Sequence, residues 1–118
     1  MRNANRPPTS SAKRRRTTSA WPDFAAVNRA ALPHLESLCR RWLPGGRRIG
    51  AEWVCGSLRG EAGASCKVNL HNGRWADFAT GPRGGDPVSL AAAVAGIGQA
   101  EAARSLAQMF GINEEDRR

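Results

Sequence analysis

The segment 72–87 constrains the fold of this chain most, because it places several local structural signals in a fixed order. Asn72-Gly73 is a pair in which both residues accept positive φ, and it predicts a two-residue β-hairpin turn. Residues 74–85 then read as a return strand, over 74–78, followed by a glycine-rich loop. Asp86 offers a side-chain oxygen to the first amides of a helix, and Pro87 suits a first helical turn, where no amide is needed.

The length and the charge distribution set the domain organisation. At 118 residues the chain has room for one small domain. Its first twenty residues carry six basic side chains and no acidic one, with many Ser and Thr and almost no apolar residues. Such a segment buries too little apolar surface to offset the entropy of ordering. We therefore predict a disordered basic arm over 1–20, a domain over 21–112 and a charged tail over 113–118.

The cysteines and the apolar runs bear on the compartment. The three cysteines lack Cys-x-x-Cys spacing, which argues against a disulfide framework and favours a reducing cytoplasm. No apolar stretch suits a secretory signal or reaches the length of a membrane span. We expect a cytoplasmic location and no membrane partner.

The spacing of apolar residues predicts helices on both sides of a small sheet. Two helices are expected first, over 24–31 with Asp23 as cap and over 33–43, interrupted by Pro33. Period-two patterns then predict three strands, over 47–55, 65–71 and 74–78. Two helices close the domain, over 87–95 and 99–110, with Gly96 and Gly111 as stops. The predicted fold class is α+β, a small three-stranded antiparallel sheet with helices N- and C-terminal to it.

Between Trp53 and Ile112 the chain resembles the zinc-ribbon domain at the N-terminus of bacterial and phage DNA primases and primase-helicases. The resemblance is carried by an ordered set of residues: Gly73 and Trp75, Gly84-Gly85-Asp86, the apolar helix 88–94, Glu101-Ala102, Leu106-Ala107 and Gly111-Ile112. It implies a zinc-ribbon-like fold and a role in phage, plasmid or bacterial DNA replication. It also implies that single-stranded template DNA is the ligand and that a replicative helicase or primase polypeptide is a partner.

The metal ligands of that family are largely missing from this chain. Cys55 falls near the first ligand position, but Leu58 stands where the second should be. Asp77 or Phe78, together with Gly81, occupy the second pair of positions. Structural zinc takes four Cys or His ligands, usually in short-spaced pairs. An alternative set of four ligands supplies no such pair: Cys55, Cys66, His71 and Asp77. We predict a ribbon without metal or cofactor, stabilised by its closing helices and by three aromatic residues: Trp53, Trp75 and Phe78.

One face of the predicted hairpin suits nucleic acid. With a two-residue turn, Leu70 lies opposite Trp75 on the core face and Lys67 lies opposite Phe78 on the other. That second face carries the candidate binding residues Lys67, Asn69, His71, Arg74 and Phe78. Cations beside a ring offer charge to a phosphate backbone and a π-face to bases. Residues 40–83, with eight basic side chains against three acidic, add three further candidates: Arg47, Arg48 and Arg83. The alternative is an ordinary solvated sheet face around a buried Phe78.

The glycine-rich loop 81–85 has two interpretations. A glycine loop before a helix can cradle a phosphate. This loop lacks the Gly-Lys-Ser/Thr of a P-loop, and Asp86 at the cap would repel an anion. A structural turn is therefore the prediction, although Arg83 is able to touch a backbone phosphate.

Catalysis has little support in the sequence. Metal-dependent primase or nuclease sites need clustered carboxylates, whereas Asp77 and Asp86 stand alone. We predict a non-enzymatic module that binds single-stranded or template DNA. The alternative is a protein-interaction module that docks on a replication partner through its C-terminal helices, where small residues would let another helix approach: Ala91, Ala92, Ala95 and Ala103.

Overall fold

A computed structural model of the chain describes residues 22–112, so the predicted arm over 1–20 and tail over 113–118 lie outside the described residues. The helices are α1 (Phe24–Ala31), α2 (Leu35–Trp42), α3 (Pro87–Ala95) and α4 (Gln99–Met109). The strands are β1 (Arg47–Ile49), β2 (Glu52–Cys55), β3 (Cys66–Asn69), β4 (Trp75–Asp77) and β5 (Arg83–Gly84). The strands form one antiparallel sheet in the order β1-β2-β3-β4-β5. The predicted α+β class is confirmed, whereas the predicted three strands are wrong, because the sheet has five.

The helix ends follow local sequence signals. Asp23 caps α1 by accepting a 3.0 Å hydrogen bond from Ala26 N. Pro33 ends α1 without introducing a loop. It lies in a 3-10 turn over Leu32–His34 that leads directly into α2. Asp86 caps α3 in a capping box with Ser89, whose N–H donates to Asp86 Oδ1 at 2.8 Å. Gly96 ends α3 in the left-handed conformation, at φ 70°.

The segment predicted as a single strand over 47–55 is a β-hairpin. Arg47 pairs with Val54, and Ile49 pairs with Glu52. Gly50, at φ +61°, lies in the turn between the two strands. Because the chain reverses here, Ile49 is not on the core face with Trp53 and is 50% exposed. The fifth strand comes from the glycine-rich loop, where Arg83 and Gly84 pair with β4.

The β3–β4 register differs from the predicted one by two residues. Lys67 lies opposite Ala76 rather than Phe78, and Val68 lies opposite Trp75. The connection is a four-residue loop over 70–73, closed by a 2.7 Å hydrogen bond from Asn69 N to Arg74 O. Since side chains alternate with period two, a shift of two residues changes every pair but leaves each side chain on its predicted face.

One face of the sheet and all four helices supply the core. The core face carries Trp53 and Val68 with Trp75, and they join a single apolar cluster with side chains from every helix. The two indoles are also held by hydrogen bonds: Trp53 Nε1 donates to Leu43 O at 3.0 Å, and Trp75 Nε1 donates to Ser89 Oγ at 2.9 Å. Phe78 was expected to stabilise the domain beside these rings, and this is wrong, because its side chain is 74% exposed.

Within residues 22–112, no helix combines the length and the apolar character that crossing a membrane requires.

Candidate nucleic-acid interface

The sheet face opposite the helices, which we call the open face, carries a row of directly paired residues, one from each strand: Arg47, Val54, Lys67, Ala76 and Arg83. Directly paired residues of an antiparallel sheet point to the same face, so three cations share this face on alternate strands. Neighbouring strands lie about 4.8 Å apart, which places successive cations roughly 10 Å apart at the backbone. We call these five residues the cationic row.

The cations of the row are free to meet an anion. Arg47, Lys67 and Arg83 are exposed, and the ion pairs among the described residues involve other side chains. Glu52 is the acidic residue that alternation places on this face; it is half-buried and lies opposite Ile49 and Asn69. An exposed cation without an ion-pair partner breaks no existing ion pair when it contacts a phosphate. The face therefore has a net positive charge that is available to an anionic ligand.

Phe78 lies on the same face as the cationic row. It follows Asp77, whose side chain is on the core face, and its N–H donates to Ser65 O at 2.7 Å. Its ring is therefore a diagonal neighbour of Lys67, within reach of a long side chain, and not its direct partner as predicted. A ring that is 74% exposed gains little from the fold, but it offers a stacking surface to an unpaired base.

The other predicted interface residues are distributed unequally. Arg74 is exposed on the open face, two positions from Ala76 along the chain. His71 is exposed in the 70–73 loop, outside the sheet. Asn69 Oδ1 accepts hydrogen bonds from His71 N at 2.9 Å and Asn72 N at 3.1 Å, so this side chain shapes the loop.

Arg48 does not belong to the predicted interface. It pairs with Trp53 and therefore lies on the helix-covered side of the sheet. There its guanidinium forms a 2.7 Å ion pair with Glu36 of α2 and donates to Gly50 O at 2.7 Å. These contacts tie the β1–β2 hairpin to α2, because the hairpin turned Arg48 toward that helix.

A shallow depression of about 470 Å³ lies where β4 begins and β5 ends, lined by Arg74, Trp75, Arg83, Gly84 and Gly85. Arg74 and Arg83 were both named from the sequence, but nothing there placed them together. The strand pairing of β5 brings them to one depression, and β5 has no hydrophobic alternation by which to detect it.

Asp77 is the buried charge of the sheet, with 1% of its surface exposed. Its carboxylate accepts four hydrogen bonds: from Leu58 N at 3.0 Å, Ala79 N at 2.8 Å, Thr80 N at 3.0 Å and Thr80 Oγ1 at 2.7 Å. Burial by itself raises the pKa of Asp77, but the hydrogen bonds from Thr80, Leu58 and Ala79 together hold that pKa below its ordinary value. The ionised carboxylate thus joins the loop after β2 to the turn after β4.

This lowered pKa predicts a pH-dependent part of the stability. The Asp77 contribution is complete above the ordinary carboxyl pKa of 3.8 and is lost as the pH falls through the lower folded-state pKa. The nearly isosteric Asp77→Asn variant cannot ionise. Because both carboxylate oxygens of Asp77 accept from donors, the NH2 group of the asparagine would lie against a donor in place of an acceptor. Urea unfolding between pH 3 and pH 6 is therefore expected to show a stability gap between wild type and variant that narrows toward low pH. Glu36, whose pKa is also lowered, by hydrogen bonds from Arg40 and Arg48, is present in both proteins and cancels in the difference. A constant gap would contradict this role.

The four residues of the alternative ligand set do not all lie together. Cys55 lies opposite Cys66, and Cys66 lies opposite Asp77, but His71 follows the far end of β3. Desolvation raises the pKa of the Cys39 thiol to about 12 and also raises the pKa values of Cys55 and Cys66. At neutral pH these buried thiols therefore stay protonated. In the described part of the chain, no three Cys, His, Asp or Glu side chains come together in a way that would hold a metal ion.

No family model, curated protein or solved structure matches the chain. The functional argument therefore depends on the geometry of the open sheet face.

Proposed function

We propose that this chain is a non-catalytic module that binds single-stranded nucleic acid, and template DNA in particular, on its open sheet face. The observation that supports the proposal is the cationic row, which crosses all five strands on the sheet face opposite the helices, with three exposed cations around the buried Val54. Phe78 adds an exposed ring to that face. A duplex keeps its bases stacked inside, whereas a single strand presents phosphates to the cations and bases to the ring.

The arrangement favours binding that tolerates any base sequence. From Arg47 to Arg83 the row spans four strand spacings, about 19 Å at the backbone. The three cations contact backbone phosphates, which fix position without reading sequence. Phe78 stacks on a base through its π-face, which every base possesses.

We also propose kinship with the primase zinc ribbon, with a carboxylate in place of the metal. In that resemblance, the ligand positions fall near Cys55 and Leu58 in one loop and near Asp77 and Gly81 in the other. The Asp77 carboxylate accepts from Leu58 N in the first loop and Thr80 N in the second, and so joins the two segments that a zinc ion would join. In this proposal the chain works in the cytoplasm beside a replicative helicase or primase polypeptide.

Substitutions in the cationic row test the interface. Lys67→Ala and Arg83→Ala are each expected to weaken binding of the full-length chain to single-stranded DNA equally across sequences. Each is also expected to reduce the slope of log affinity against log salt by about one, because one phosphate contact is lost. Fluorescence anisotropy over a salt series measures both quantities. Arg104→Ala is the matched control, because Arg104 is an exposed cation on α4, away from the sheet.

Phe78→Ala separates stacking from charge. Loss of the phenyl ring is expected to weaken binding of single-stranded DNA by about 1–3 kcal/mol and to leave the binding of duplex DNA unchanged. If Lys67→Ala, Arg83→Ala and Phe78→Ala all bind as wild type does, the open face is not the interface, whatever the basic residues outside 22–112 contribute.

The small residues of the alternative docking surface are mostly occupied within the domain. Ala91 and Ala92 of α3 and Ala103 of α4 are buried in the common core, and α3 packs on α4. Ala95 is the exposed member of the set. Since three of the four pack the domain itself, no observation favours docking through these residues over the open face.

A further inference from the structure

The depression where β4 begins and β5 ends brings two arginines to one place. The β4–β5 pairing, continued by one residue, puts Gly85 opposite Arg74, so no side chain opposes that arginine. Arg83 is its diagonal neighbour on the same face, and both line the depression. Neither guanidinium forms an ion pair with any residue in the range 22–112.

The two glycines of the depression differ in what the fold requires of them. At Gly84 a Cβ would come within 2.6 Å of Trp75 Nε1, so packing accounts for this glycine. At Gly85 a Cβ would meet nothing within 4 Å, and the backbone is not in the left-handed region. The Gly85 N–H donates to none of the described residues. Neither packing nor backbone conformation therefore requires a glycine at position 85, and its N–H has no partner among the described residues. A glycine of this kind suits the close approach of a ligand to the backbone.

Two planar guanidinium groups and a free amide suit a phosphate group. Arginine presents paired donors to phosphate oxygens, and a phosphate monoester carries about −1.5 to −2 charges, against −1 for a diester. Asp86 follows Gly85, but its carboxylate accepts from Ser89 N and does not line the depression. β5 is also an edge strand of the sheet, so a nucleic-acid strand that follows the cationic row reaches the edge of the sheet at this depression.

We infer that this depression is a subsite for a phosphate monoester, the terminal phosphate of a bound nucleic-acid strand. The inference rests on the proposed function and adds the chemical group that one end of the ligand presents. Arg74 and Arg83 hold the terminal oxygens, and the Gly85 N–H donates the third contact.

The test compares octathymidylates that carry a 5′-phosphate, a 3′-phosphate or hydroxyls at both ends, with the full-length chain. One phosphorylated form is expected to bind about three- to fivefold tighter than the hydroxyl form. That ratio falls to about one in Arg74→Ala and in Arg83→Ala. Arg47→Ala, at the other edge of the sheet, removes the same charge and lowers both affinities but keeps the ratio. The 5′ and 3′ arms show which end is held.

A titration with inorganic phosphate, followed by the amide NMR signals of Gly84 and Gly85, distinguishes failure of the subsite from failure of the proposed function. Saturable shifts that Arg74→Ala and Arg83→Ala both abolish support a phosphate subsite in the depression. If no oligonucleotide binds, the proposed function fails, and the assignment of that phosphate to the end of a nucleic-acid strand fails with it. Equal binding of the three oligonucleotides overturns the subsite and leaves the open face as the interface. Absence of both phosphate shifts and oligonucleotide binding overturns the two proposals together.

Discussion

Replacing Asp77 by alanine is expected to lower the free energy of unfolding by about 3 kcal/mol, because it removes the acceptor of four hydrogen bonds. Ala79 and Thr80 are exposed, so water replaces the acceptor for their amides at small cost. Leu58 N is the group that loses most, since Leu58 is partly buried and its loop is held to β4 through this bond. A small domain has about 5–15 kcal/mol in total, so this single change removes a large part of it.

Asp86→Ala provides the matched control for that result. Asp86 also accepts a backbone N–H, from Ser89, but it is a partly exposed helix cap, for which about 1 kcal/mol is expected. Urea unfolding of both variants, followed by tryptophan fluorescence, gives the two values in one experiment. If Asp77→Ala loses no more than Asp86→Ala, the carboxylate does not hold the two loops together, and the proposal that it replaces a metal loses its support.

The helices were predictable because their signals are local. Asp23 and Asp86 act on amides three residues away, and Gly96 ends α3 through its own backbone conformation. The predicted ranges 24–31 and 87–95 match α1 and α3. Pro33 shows the limit of such rules, because it lies in a 3-10 turn that leads directly into α2.

The strands were harder because their pairing is decided at a distance. The alternation from Arg47 to Cys55 continues through the turn at Gly50, so the pattern shows one strand where the chain makes two. Asn72-Gly73 is only half of a four-residue loop, whose shape depends on the Asn69 side chain. The open face was still assigned correctly for Lys67, since a shift of two residues preserves alternation.

The candidate site combines residues that sequence reasoning identified with contacts that it had no means to find. Lys67 and Arg83 were named for their charge, but only the register of five strands places them in one row. Asp77 lies on the apolar face of the sheet, and its partner Leu58 is nineteen residues away in the chain, beyond the reach of local sequence rules. A buried carboxylate needs several hydrogen-bond donors. An aspartate at a core position of a strand is therefore a signal that the loops beside it donate hydrogen bonds to its side chain.

Gly60→Ala is expected to cost about 3 kcal/mol, for two reasons that add. Gly60 has φ +83°, a left-handed conformation that costs a residue with a Cβ about 1–2 kcal/mol. An added Cβ would also lie 2.8 Å from Leu43 Cα and 3.0 Å from Pro44 Cδ. These atoms belong to the main chain and to a proline ring, which do not rotate away, so overpacking contributes about 1–3 kcal/mol more. The same site holds the 56–64 loop to the segment that follows α2, since Gly45 N donates to Gly60 O at 2.6 Å.

Two further glycines separate those reasons. Gly50 has φ +61° with no atom within 4 Å of an added Cβ, so Gly50→Ala is expected to cost about 1–2 kcal/mol from the backbone alone. Gly85 has neither positive φ nor a neighbour within 4 Å, and Gly85→Ala should change the free energy of unfolding by less than about 0.5 kcal/mol. Chemical denaturation should therefore rank the losses as Gly60, then Gly50, then Gly85. Equal losses at Gly60 and Gly50 would show that the loop moves away from Leu43 without cost, so that the close contact there does not constrain the 56–64 loop.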